Sequence, residues 1–454
     1  MKLSNFVRKI RNVCQSDCFA CEKACAKKMG NLGSVITANQ VRKADVYKAI
    51  TCLQCRKPEC KDACSNDTIV QDEENGIVRV IQENCIGCEA CIEACPHQNM
   101  FFDSNAQVAF KCDLCGGVPE CVSACPYGAL EFFRGGNIRS YLGDEDFLSP
   151  GTRACAGCPG ELIYRFSQRM LGSNTVFFGC PGCMTILMTG HETMAGSRLP
   201  YVSCLFTNVI STMTGTYRYY RHIGKEANLV AYVGDGCLAD IEFQALSAAA
   251  MRREKLIVLC YDNEGYQNTG NQMSSTTAFG SLTTTSPVGG ELRGKGRDSK
   301  YMPLMMVAHD ISYVATASPA YLEDYARKLT KAMNVKDGMS YIHILTPCPT
   351  GWGFPIDKSI DVAKLAVETN YFPLWEYEQG MLHLTYKTNT PQPIGDYTKL
   401  MGRYRHMNGD ELQQLQILVD KRFAKIEFLA SAHPATGETS SLKNNEKRAG
   451  HVHA

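Results

Sequence analysis

The chain carries almost no net charge: 47 Lys and Arg stand against 46 Asp and Glu, a formal balance of +1 at pH 7. Neither nucleic acid nor an acidic membrane surface would feel a bulk attraction to it. No uninterrupted apolar run reaches the roughly 18 residues that a spanning helix needs. No basic amphipathic stretch suggests an interfacial helix. The segment Met1 to Asn12 is basic but has no apolar core followed by a cleavage site, so it does not read as a signal peptide. The expectation is a cytoplasmic protein. Its 454 residues leave room for about three domains.

Cysteine is what the chain has in excess: 24 in all, 16 of them before Pro126. A secreted disulfide protein would spread its cysteines through several small modules. These fall instead into four quartets: Cys14-Cys18-Cys21-Cys25, Cys52-Cys55-Cys60-Cys64, Cys85-Cys88-Cys91-Cys95 and Cys112-Cys115-Cys121-Cys125. The third is C-x2-C-x2-C-x3-C followed by Pro96, the bacterial ferredoxin run. The fourth also ends in Cys-Pro, and the first two are spaced more loosely. Three thiolates on one tight loop can reach three irons of a cubane. The fourth cysteine, leaving on a short helix, then points at a neighbouring cluster. Zinc is the alternative, but a zinc site normally takes two close cysteines and two distant ligands. Residues 1–148 are therefore expected to form a poly-ferredoxin α+β domain with four 4Fe-4S clusters.

Residues 149–380 read as an α/β domain, a parallel sheet flanked by helices. Leu229–Val233 has the pattern of a buried strand and runs into Gly234-Asp235-Gly236. A helix is expected from Ile241 to Arg253, and a second strand, Leu256–Cys260, ends at Asp262-Asn263. Open α/β sheets bind ligands at the carboxyl ends of such strands. Glycines let the backbone approach phosphates, and magnesium prefers a few hard oxygen ligands. Asp235 offers a carboxylate and Asn263 an amide oxygen. Gly-Asp-Gly alone is also an ordinary turn, but Asn263 follows Gly234 by 29 residues, the thiamine-diphosphate signature. Residues 381–430 are expected to form a helical arm with one long helix, Gly409–Lys425. Residues 431–454 are polar and expected to be disordered, with His451 and His453 solvated.

The quartets resemble, over about residues 14–130, the four-cluster electron-transfer subunits of the dimethylsulfoxide-reductase and formate-hydrogenlyase type. That resemblance implies exchanged fourth ligands. Cys14, Cys18 and Cys21 would join Cys125, and Cys112, Cys115 and Cys121 would join Cys25. Cys52, Cys55 and Cys60 would join Cys95, and Cys85, Cys88 and Cys91 would join Cys64. The extra residue between Cys14 and Cys18 departs from the commoner C-x2-C start.

The run from Asp262 to Gln272 resembles the magnesium loop of the β subunits of the pyruvate:ferredoxin oxidoreductase family, D-N/T-E-x-Y-x-N-T-G-x-Q, at every fixed position. Leu199–Gly215 and Phe372–Glu378 are similar to that family too. The resemblance implies thiamine diphosphate bound by Glu161, Gly234, Asp235, Gly236, Cys237, Asn263, Gly265, Tyr266, Asn268 and Thr269. Magnesium would be held by Asp235, Asn263 and the Gly265 carbonyl, and Asn268 would lie against the thiazolium and the substrate. A further 4Fe-4S cluster would take Cys155, Cys158, Cys348 and Cys183, with Cys180 as the alternative to Cys183. Cys204, Cys237 and Cys260 read as small buried hydrophobes. Glu161 follows Cys158-Pro159-Gly160, where the family has Gly-Glu directly.

The implied activity is oxidation of a 2-oxoacid to CO2 and an acyl-coenzyme A, with coenzyme A bound mainly by a partner subunit. The catalytic glutamate would come from an α subunit, beside a γ-type subunit and either ferredoxin or a flavin/NAD-reactive subunit as acceptor. The fused layout most resembles the phenylglyoxylate-oxidising members, which make benzoyl-CoA; pyruvate or another 2-oxoacid is the alternative. A pure electron-transfer subunit without thiamine and a non-redox decarboxylase are the readings of other classes.

Overall fold

The structure, a computed structural model, describes all residues except 1–4, 10–13, 45–48, 56, 73–75, 135–140, 144, 189–195, 387, 389–390 and 432–454. His451 and His453 and nearly all of the polar tail lie outside the described residues. Among those described, no helix is long and apolar enough to cross a membrane.

The larger part is built on an eight-stranded sheet. Across it run Met381–Leu384, Trp375–Glu378, Tyr313–Ala317, Ser340–Leu345, Ile257–Asp262, Asn228–Gly234, Thr175–Gly179 and Tyr201–Ser203. The six strands from Tyr313–Ala317 to Tyr201–Ser203 are parallel; the hairpin at the other edge is antiparallel. Both faces are covered, so the central strands are near-continuous apolar runs. Alternate residues of each strand feed opposite layers. Ala231, Val233, Val258 and Cys260 pack with Leu246 and Ala249 of the helix Phe243–Met251 and with Ile210 and Met213 of Val209–His222. Val230, Tyr232, Ile257 and Leu259 pack on the other side with Ile163 and Tyr164 of Pro159–Leu171 and Tyr325 and Leu329 of Leu322–Asn334.

Three expectations change. The helix after Gly234-Asp235-Gly236 begins at Phe243 because a π-helical turn, Gly236–Ile241, intervenes; such turns are frequent at functional sites. The long C-terminal helix runs Gly409–Ser431. The boundary at 380 falls inside the hairpin of Trp375–Glu378 and Met381–Leu384. Ile426 shares a core with Trp375 and Leu382, and Leu415 and Val419 share one with Trp352 and Tyr397. The segment 381–431 is thus part of the α/β unit.

Arg403 adds a buried ionic tie. Its guanidinium stacks 3.6 Å from the Trp352 ring and pairs with Glu264 at 2.7 Å, both side chains buried. Tyr371 donates to the other Glu264 oxygen at 2.5 Å. Breaking a buried pair strands the remaining charge, at a cost of about 3–5 kcal/mol. Arg403→Ala is expected to lower the melting temperature of the purified complex by several degrees; an unchanged melting curve would contradict this account.

The N-terminal part is made of small two-stranded pieces: Asn5–Lys9 with Leu130–Arg134, Ile69–Gln71 with Val78–Val80, and Phe101–Asp103 with Val108–Phe110. Its two thin cores contain cysteines, among them Cys21, Cys25 and Cys121 in one and Cys60 and Cys91 in the other. Together the two parts have the expected fold class, a thiamine-type α/β domain with an N-terminal ferredoxin-like domain.

Candidate functional site

The predicted residues gather at the carboxyl edge of the parallel strands. Asp235 follows Asn228–Gly234, Asn263 follows Ile257–Asp262, Cys348 follows Ser340–Leu345, and Cys180 and Cys183 follow Thr175–Gly179. A cleft of about 380 Å³, open to solvent, is lined by Cys183, Phe206, Gly234, Gly236, Cys237, Asn263, Gly265, Tyr266, Asn268 and Thr269, among others. Gly236 is required there, since a Cβ would fall 2.4 Å from the Tyr266 ring. The Tyr266 hydroxyl lies 3.1 Å from both the Gly236 carbonyl and an Asp240 oxygen, which share its single proton.

Asp235 is buried. Its Oδ2 accepts from Ser274 Oγ at 2.6 Å and Thr276 Oγ1 at 2.8 Å, and its Oδ1 from the Asn263 backbone N–H at 3.3 Å. Burial, and next the neighbouring Asp262 charge, push its carboxyl well above the usual range. The Asn263 amide fits a cation. Its side-chain oxygen faces two acceptors, the Gly265 carbonyl at 2.9 Å and Asp235 Oδ1 at 3.2 Å, while its nitrogen faces Cys183 Sγ at 3.9 Å. Turning the amide would make hydrogen bonds of the first two contacts. We favour the unturned amide, because three converging oxygens form the donor set that a hard divalent ion takes.

Sequence reasoning missed the groups behind this trio. Thr276 Oγ1 also lies 2.9 Å from Asp262 Oδ1, so its single proton is shared between two carboxylates, and Asp262 Oδ2 bonds His343 Nε2 at 2.8 Å. Lys295 donates to the carbonyls of Ser274, Ser275 and Thr277 and so anchors the loop. The run Ser274-Ser275-Thr276-Thr277 was the available signal, since four successive hydroxyl groups are unusual in an apolar setting. Outer partners of metal ligands are typically worth about 10–100-fold in metal affinity. Thr276→Val is expected to weaken magnesium-dependent thiamine diphosphate binding by that order, measured by quenching of intrinsic fluorescence. An unchanged affinity would show that Thr276 does not orient Asp235.

A second cavity, about 590 Å³ with its mouth, holds Cys155, Cys158, Cys183 and Cys348. Cys183, Tyr261, Asn263 and Asn268 line this cavity and the cleft alike. Cys180 lines only the cleft side of the two. Three of the four thiols sit at helix starts, and Cys183 opens Cys183–Met188. Cys158 precedes Pro159–Leu171, and Cys348 precedes Pro349–Trp352 and accepts from Gly351 N–H at 3.3 Å. Proline at N1 suits this, because its missing N–H would be unpaired anyway. Burial raises the Cys183 thiol to about 12 and the Cys348 thiol to about 11; metal coordination would deprotonate both outright. The Tyr232 hydroxyl donates to the Gly160 carbonyl at 2.6 Å and fixes the turn that carries Cys158.

Glu161 lines neither cavity. Pro159 and Gly160 fill the first helical positions, and Glu161 bonds Thr152 and feels Arg165. Cys237 lines the cleft, but its thiol faces the Phe206 carbonyl at 3.4 Å and Glu242 at 3.5 Å.

In the N-terminal part, Cys52, Cys55, Cys60 and Cys95 line one cavity and Cys64, Cys85, Cys88 and Cys91 another. Cys21 neighbours Cys14, Cys18 and Cys125, and Cys121 neighbours Cys112, Cys115 and Cys25. Backbone N–H groups point at the sulfurs of Cys85, Cys95, Cys112 and Cys125 at 3.3–3.4 Å. One expectation is corrected. In the last three quartets the short helix carries the third cysteine, Cys60, Cys91 or Cys121, and the fourth lies just past its end. Among the described residues no three His, Cys, Asp or Glu side chains close on a single-ion point.

Residues 220–344 match the family model of the thiamine pyrophosphate enzyme C-terminal TPP-binding domain, and residues 43–134 that of a 4Fe-4S dicluster domain. The class is therefore an iron–sulfur protein with a thiamine-diphosphate-binding domain. NADH-dependent phenylglyoxylate dehydrogenase subunit beta of Aromatoleum evansii is 38% identical over 374 residues, 82% of this chain and 84% of that one. Pyruvate synthase subunit PorB of Methanocaldococcus jannaschii is 39% identical over 286 residues, 61% of this chain and 95% of that one. Ketoisovalerate oxidoreductase subunit VorB of Pyrococcus horikoshii is 36% identical over 295 residues, 63% and 94% of the two chains. The chain belongs to the β-subunit family of 2-oxoacid oxidoreductases.

Proposed function

We propose that this β subunit catalyses the oxidative decarboxylation of phenylglyoxylate to benzoyl-CoA and CO2 within a cytoplasmic hetero-oligomer. The observation that carries the chemistry is the wall shared by the two cavities, formed by Cys183, Tyr261, Asn263 and Asn268. Bound thiamine diphosphate would supply the electron sink for decarboxylation. Asp235, Asn263 and the Gly265 carbonyl would hold its diphosphate through magnesium. Asn268, at the junction of the cavities, would orient the 2-oxoacid. Cys155, Cys158, Cys183 and Cys348 would hold the cluster that takes the electrons, and the four N-terminal quartets would carry them outward.

The carboxylates around the cleft are already engaged. Asp240 accepts from Tyr266 and Ser275, Glu242 accepts from the N–H groups of Ile210 and Ser211, and Glu264 pairs with Arg403. This supports a catalytic glutamate from an α subunit, which would also carry most of the coenzyme A site. A γ-type subunit and a flavin/NAD-reactive subunit or ferredoxin would complete the assembly.

The substrate reading is supported by the reach of the similarity to the phenylglyoxylate dehydrogenase subunit, 82% of this chain. Pyruvate is the second reading, favoured by 42% identity of the thiamine half to a pyruvate synthase subunit of Methanothermobacter thermautotrophicus. Turnover of the whole complex with coenzyme A and each 2-oxoacid decides: a higher kcat/KM for phenylglyoxylate supports the proposal, and a higher one for pyruvate overturns it. Metal and thiamine analysis tests the cofactors. Five cubanes predict roughly 20 irons per chain with one thiamine; that iron without thiamine would favour a pure electron-transfer role.

A further inference from the structure

Lys111 lies in the wall of the cavity formed by Cys52, Cys55, Cys60 and Cys95. Only 4% of it is exposed. Its ammonium donates to three neutral acceptors: Gln54 Oε1 at 3.1 Å, the Cys112 carbonyl at 3.0 Å and the Val78 carbonyl. Gln54 is itself fixed, accepting from Val78 N–H and donating to the Cys112 carbonyl, each at 2.8 Å. No carboxylate among the described residues pairs with Lys111. Its hydrogen bonds are complete, yet its charge has no partner. Burying a charge in that state is unfavourable unless an anion compensates it.

The anion on offer is the cysteine quartet. Burial pushes the thiols of Cys55, Cys60 and Cys112 up, and the nearby Lys111 charge acts against that shift at each of them. The companion cavity of Cys64, Cys85, Cys88 and Cys91 has the opposite character, with Glu89 in its wall and no Lys or Arg. Net charge and hydrogen bonding to sulfur set cluster potentials, and a fixed charge acts strongly across a short, poorly screened gap.

Resting on the cluster reading above, we propose that Lys111 is the built-in counter-ion of the cluster held by Cys52, Cys55, Cys60 and Cys95. Its charge makes that cluster easier to reduce than the one held by Cys64, Cys85, Cys88 and Cys91. Each reduction adds one electron to the cluster and breaks no bond; the donor is the preceding cluster of the relay. The Lys111 site is then where an electron rests, and transfer onward from it is the uphill step.

The test is an EPR-monitored redox titration of the whole complex carrying Lys111→Met, Lys111→Gln or Lys111→Arg, with iron and acid-labile sulfide measured on each. In an iron-replete Met or Gln variant one midpoint should fall by at least about 59 mV, a tenfold change in a one-electron equilibrium. The Arg variant should keep it. Unchanged midpoints in an iron-replete Met or Gln variant overturn the inference. If neither neutral variant assembles but Arg does, the charge is needed for assembly, and the counter-ion role stands. If Arg fails as Met does, Lys111 serves packing and the inference is overturned. Absence of N-terminal iron from the unaltered complex would sink the cluster reading itself, a separate result.

Discussion

Asp235→Ala is expected to purify without thiamine diphosphate and to turn over at least about 100-fold more slowly, beyond the 10–100-fold that outer-shell partners cost. Asp235 offers the carboxylate oxygen of the trio it forms with the Asn263 amide and the Gly265 carbonyl. Without it the remaining donors are neutral, too weak a set for an ion that gives up its water reluctantly. Added magnesium should rescue Thr276→Val but not Asp235→Ala. The pH dependence has a definite sign. Burial and the Asp262 charge raise the Asp235 carboxyl in the fold, so the folded apo-protein keeps that proton to higher pH than the unfolded chain does. Apo-protein stability from this group therefore falls as pH rises through the ordinary carboxylate range. Magnesium bound there would displace that proton, so cofactor affinity is expected to rise over the same direction of pH. In Asp235→Asn this pH dependence of binding should disappear. Isothermal titration calorimetry at several pH values reads both effects; a variant that still binds the cofactor with unchanged pH dependence would remove Asp235 from the site.

Much of this site was legible because its parts are local. Gly234-Asp235-Gly236 and Asp262-Asn263 each follow an apolar strand directly, and neighbouring parallel strands set them side by side. The quartets are local as well, so their spacing could be interpreted without the fold. What escaped notice depends on long-range packing. Arg403 reaches Glu264 across many residues of chain, and nothing near Arg403 announces a buried pair. His343 meets Asp262 because Ser340–Leu345 lies next to Ile257–Asp262, an order the sequence does not state. The place of Glu161 is set by its neighbours. Pro159 starts the helix, so the glutamate falls in its first turn, and it lines neither cavity. The boundary at 380 failed because a polar turn, Gln379-Gly380, looks the same whether it ends a domain or closes a hairpin.

Cys348→Ser should separate decarboxylation from electron transfer. Of the four thiols in the second cavity, Cys183 also lines the cofactor cleft and lies 3.9 Å from the Asn263 amide nitrogen, so its loss would disturb both functions. Cys348 lines only the second cavity of the two. A serine hydroxyl can still cap the helix Pro349–Trp352 by accepting from Gly351 N–H, so the backbone has no reason to move. Serine is, however, a poor ligand for a cluster built on thiolates. The variant should bind thiamine diphosphate normally and still exchange labelled CO2 with the 2-oxoacid carboxyl. Its acceptor-dependent oxidation should fall by about 100-fold or more, roughly 3 kcal/mol of added barrier. Iron content should drop by about one cubane, and one EPR signal should vanish. Equal loss of exchange and oxidation would mean that the cysteine cavity supports the cofactor site structurally. Full oxidation at wild-type rate would mean that electrons leave the thiamine by a route that does not pass through Cys348.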